Sequence, residues 1–65
     1  MEQQTKDAFL LAYENLQRIA YRLYEQAQNA IDADLFLDAN LLISQADKIF
    51  ELAENLEIVI SEQEE

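Results

Sequence analysis

Three aspartates, Asp32, Asp34 and Asp38, fall at spacings of two and four. Carboxylates so spaced suit a hard cation, which takes oxygen ligands. The pattern stops short of a calcium loop, because the turn glycine and the closing glutamate are missing. Helix capping explains these acids more simply. An Asp oxygen accepts the free N–H groups of a helix start, and its charge suits the helix dipole there. The rest of the catalytic inventory is thin. The chain has no His and no Cys, so it lacks a proton shuttle near neutral pH and a thiolate. It has no Gly, so no phosphate-cradling loop is available. Carboxylates alone do acid–base work only where burial separates their pKa values, and no acid lies deep in either apolar seam described below. No enzyme activity, cofactor, metal or small-molecule ligand is expected.

The charged residues point to surfaces instead. Asp47, Glu51, Glu54 and Glu57 form an acidic ridge on the outer side of one helix, extended by Glu62, Glu64 and Glu65, with only Lys48 interrupting nearby. Fourteen acids against four bases give a formal charge of -10. Direct nucleic-acid or anionic-membrane binding is disfavoured, because phosphate contacts need clustered Lys and Arg. A basic partner protein is favoured. The same ridge also serves as a solvated face that keeps an apolar chain dispersed, and the sequence leaves both roles open. Arg18 and Arg22 are the one cation pair. Glu14 precedes Arg18 by four, a favourable order for a surface pair worth a few tenths of a kcal/mol; the two Arg are also candidate rim contacts for a partner. Tyr21 projects to a rim beside Leu10 and Gln28, where an amphipathic ring either suits a contact surface or seals the edge of the bundle.

Positioning these groups requires helices. Leu35, Ala39, Leu42, Ala46, Ile49, Ala53, Leu56 and Ile60 alternate at spacings of four and three. Phe9, Tyr13, Leu16, Ala20, Leu23, Ala27 and Ala30 answer upstream. Each set is the seam of a helix packed lengthwise on another. The spacing predicts a first helix from about residue 6 to 29, with Thr5 as N-cap and Asp7 in the first turn. Asn29 is the expected left-handed C-cap, in a turn over about 30–34. Asp32 or Asp34 is the expected cap of a second helix running from about 35 to 61. Residues 1–4 and the acidic end are expected to fray. So short a connection makes the helices antiparallel neighbours in a single all-α hairpin domain.

The apolar arc is wider than a two-helix seam needs. Phe36, Ile43 and Phe50 flank the second seam on one side, and Leu41, Leu52 and Val59 on the other; Tyr24 lies with Leu10 and Ile31 on a flank of the first. Exposed together, these rows exceed the few hundred Å² of apolar patch that monomers tolerate. Small chains without disulfides commonly oligomerise. A homodimer forming a four-helix bundle is therefore expected, with Tyr24, Phe36, Ile43, Phe50, Leu52 and Val59 as the dimer or partner surface.

The Ala/Leu core and the Asp32-Ala33-Asp34 turn resemble the hairpin of Rop-type plasmid RNA-binding proteins. The resemblance implies the hairpin and its packing alone, because the basic RNA-contacting face has no counterpart here. Phe36-x-x-Ala39 followed by Ala46 is similar to the second helix of a tetratricopeptide repeat, a convergence on helix packing.

The opening Met1-Glu2-Gln3-Gln4 lacks a basic segment followed by an apolar core. The apolar runs are too short for a bilayer. A cytoplasmic protein is expected. Its expected role is that of a small acidic regulator or inhibitor of a basic, nucleic-acid-binding protein. The alternatives are a hairpin chaperone or assembly subunit that buries a partner helix, and a structural oligomerisation module.

Overall fold

The computed structural model describes residues 1–63 as two long helices, α1 (Gln3–Asp32) and α2 (Phe36–Glu62). They pack against each other along their length, and no strand occurs among the described residues. Tyr24 reaches Asp47 and Tyr13 reaches Glu57, so the helices run antiparallel. The result is a rod of 48 × 15 × 11 Å. Its radius of gyration is 14.9 Å, against about 11 Å for a compact globule of this length.

Both helices end differently from the caps read in the sequence. Thr5 lies inside α1. The start is Glu2, extended at φ -61°, ψ 147°, with no side-chain cap. Its carbonyl accepts the Lys6 N–H at 3.0 Å. Asp7 falls past the first turn and accepts the Gln3 amide at 2.8 Å. Gln3 and Gln4, read as a frayed lead-in, are helical.

The turn is a Schellman motif. The Leu35 N–H reaches back to the Ala30 carbonyl at 2.8 Å, and the Asp34 N–H to that of Ile31 at 3.0 Å. These two bonds satisfy carbonyls that the end of α1 would otherwise leave open. The motif needs one left-handed residue, and Asp34 supplies it at φ 63°. Asn29, the sequence candidate, stays helical. An Asp tolerates this region better than most residues with a Cβ. Asp32 and Asp34 do not cap α2 either. The capping position is Leu35, with no side-chain bond; Asp32 instead accepts the Gln28 amide at 3.1 Å. Asp38 does sit in the first turn of α2, where its charge meets the helix dipole.

The contact line follows the predicted seams with one difference of degree. The buried residues are Ala20, Ala27 and Ala30 of α1 and Ala39, Ala46, Ala53 and Ile60 of α2. No large side chain is fully buried among the described residues. Phe9, Leu16, Leu23, Leu42, Ile49 and Leu56 lie on the seams yet are half-buried. Alanines at heptad spacing let two backbones approach closely. The larger residues then straddle the line of contact, and only one of their sides is covered. Leu35, read as the first seam residue, belongs to the turn and is 52% exposed.

Candidate interaction surface

The hairpin has two edges, and its chemistry lies on one of them. Tyr13, Tyr21 and Tyr24 all reach from α1 to α2 along it. The Tyr24 hydroxyl donates a charge-assisted hydrogen bond to Asp47. The Tyr21 ring meets Phe50 edge to face, centroids 6.5 Å apart at 62°. The Tyr13 hydroxyl donates to Glu57 across a long 3.5 Å and accepts the Gln17 amide at 2.9 Å. Stepping back along α1 from Tyr24 to Tyr13 matches stepping forward along α2 from Asp47 to Glu57. These contacts report the antiparallel register of the pair.

The carboxylates act on the phenols. The hydrogen bond to Asp47, then burial, raises the Tyr24 pKa above the ordinary 10.0. Burial first, then the Glu57 charge, does the same for Tyr13. Both rings therefore stay neutral donors throughout the physiological range.

This arrangement redraws the acidic ridge. All four acids are exposed, but Asp47 and Glu57 also hold α1 through its tyrosines. Glu54 and Glu57 line a groove of about 500 Å³ on this edge. Its walls include Tyr13 and Gln17 from α1 and Phe50, Ala53 and Ile58 from α2, with Glu62 at the far end. Glu51 is exposed but does not line the groove. Glu64 and Glu65, read as the end of the ridge, lie outside the described residues. Tyr24, grouped from the sequence with the apolar flank, spends its hydroxyl within the chain.

The remaining predicted residues scatter over the rod. Phe36 is 58% exposed near the turn, whereas Ile43 and Phe50 are half-buried on the tyrosine edge. Leu52 (54% exposed) and Val59 lie with Leu41 along the other flank of α2. Arg18 and Arg22 line a shallow depression with Asn15 and Ile19. Tyr21 is turned away from them, onto Phe50. Asp32, Asp34 and Asp38 serve different turn and helix positions, and no group of three or more acids among the described residues is arranged to hold a metal ion.

Heptad spacing does not by itself pair these tyrosines with the carboxylates of α2. A signal existed: Tyr13 and Tyr24 stand eleven apart, Asp47 and Glu57 ten apart, in an antiparallel pair. No protein-family model, curated protein or solved structure matches the chain. No described helix is long and apolar enough to cross a membrane.

Proposed function

We propose that this chain is a small, acidic, non-enzymatic protein-interaction module. It pairs with a second copy through its uncovered apolar flank and regulates a basic, nucleic-acid-binding protein through the acidic face of α2. Among the described residues, six of the seven buried side chains are alanines, and this supports the reading. A hairpin with that core holds most of its large apolar groups for contacts outside itself. Its accessible surface is 4950 Å², against about 4,300 Å² for a compact monomer of this mass. The choice of a basic partner rests on the charge of -10 and on the exposed row Asp47, Glu51, Glu54 and Glu57.

In this mechanism the carboxylate row occupies the partner's phosphate site and competes with nucleic acid for the same Lys and Arg side chains. Such binding weakens as salt screens the charges. Titration of the chain against a basic DNA-binding domain, with and without duplex, tests it. Affinity at 50 mM salt should exceed that at 500 mM by at least tenfold, and duplex should compete. Salt-independent affinity would remove the acidic face from the mechanism.

The exposed flank of Leu41, Leu52 and Val59 favours a second reading, that of an assembly subunit which buries a partner helix. That version requires a monomeric, weakly stable chain when pure. A tight homodimer in sedimentation argues against it.

A further inference from the structure

We propose that the groove on the tyrosine edge is a receptor for arginine side chains displayed by a helix of the basic partner. The proposal rests on the acidic-face reading above and names what that face would grip. Glu54, Glu57 and Glu62 supply negative charge along the groove, while Tyr13, Phe50 and Ile58 supply aromatic and aliphatic wall. Among the described residues that line it there is no Lys or Arg, so the lining itself is net negative. Charge complementarity thus calls for a cation, and the apolar wall calls for one with a flat, weakly hydrated head on a long stem. Arginine meets both requirements. Its guanidinium stacks on ring faces and pairs with carboxylates in a fork, whereas the lysine ammonium is compact and strongly hydrated. A volume of about 500 Å³ exceeds one side chain and extends along α2 from Phe50 to Glu62. A helix presenting arginines one turn apart fits that length.

The test uses the full chain, labelled with ¹⁵N, and an 18-residue alanine-based helical peptide carrying Arg at i and i+4. The same peptide with Lys is the comparison. At 150 mM salt the Arg peptide should bind at least fivefold tighter. Its shift changes should centre on the amides of Tyr13, Phe50 and Ile58. Glu54→Gln should cost threefold to tenfold in affinity for the Arg peptide, as should Ile58→Ser; both residues are exposed, and far-UV circular dichroism checks the fold of each variant. Equal affinity of the two peptides, with shifts spread over Glu51 and the rest of α2, would overturn the groove and leave the acidic face standing. No binding of either peptide at 20 mM salt would overturn both.

Discussion

A left-handed residue with a Cβ costs roughly 1–2 kcal/mol relative to a right-handed one, and Asp34 occupies that position in a chain with no glycine. Glycine would relieve the strain, but it loses more freedom on folding, by about 0.5–1 kcal/mol. Asp34→Gly should therefore stabilise the hairpin by a net ~0.5–1 kcal/mol, read as a higher urea midpoint at unchanged slope. Asp34→Val should lower it, because β-branched residues are outliers there. The phenols give a second prediction. In the unfolded chain Tyr13 and Tyr24 ionise near the ordinary 10.0, whereas the native hairpin holds both protons to higher pH. Above pH 10 the native state binds more protons than the unfolded one. The stabilisation is thus complete below about pH 10 and is lost as pH rises through the native values. Urea midpoints at pH 8 and pH 11 should drop more for the natural chain than for the variant with Tyr13→Phe and Tyr24→Phe. Equal drops would show that neither phenol contributes.

At the level of the helix, the contact line tolerates little change in volume. Ala46 is fully buried between the two backbones. Ala46→Leu should push the helices apart and destabilise the pair by about 1–3 kcal/mol, measured by denaturant unfolding. The seams were legible because a heptad pattern needs only side-chain type and spacing. The helix ends were not. Thr5, Asn29 and Asp32 are residue types that cap through side chains or favour a left-handed bend. The chain closes its turn with main-chain bonds from Leu35 and Asp34 instead, and main-chain bonds leave little imprint on residue type. The tyrosine–carboxylate contacts were hidden for another reason. They depend on register between two helices, and register emerges only when the alanine seams come together. Without it, Asp47 and Glu57 read as two more members of a solvated ridge.

For the whole molecule, the seam of alanines leaves large apolar groups such as Leu41 and Leu52 exposed, and the proposed homodimer would cover them. Burying Leu41 and Leu52 against a second copy would add to what the hairpin alone provides. The proposed homodimer gives a concentration-dependent thermal midpoint, because mass action favours the assembled state. Sedimentation should report twice the 7.6 kDa of one chain at micromolar concentration. Leu41→Glu with Leu52→Glu should shift it toward one copy and lower the midpoint. A single copy at every concentration, with a midpoint that does not move, would rule the homodimer out.

The tyrosines carry an experimental consequence as well. The sequence contains no Trp, so near-ultraviolet emission comes mainly from rings that all stand along one side of the rod. Two of those rings donate hydroxyl protons to carboxylates, an arrangement sensitive to whatever displaces the acceptor. Anything that docks over this side should change the intrinsic fluorescence. A second copy seated on the opposite flank should leave it nearly dark to the change. The unlabelled chain thereby distinguishes by its own light which of its two sides has been occupied.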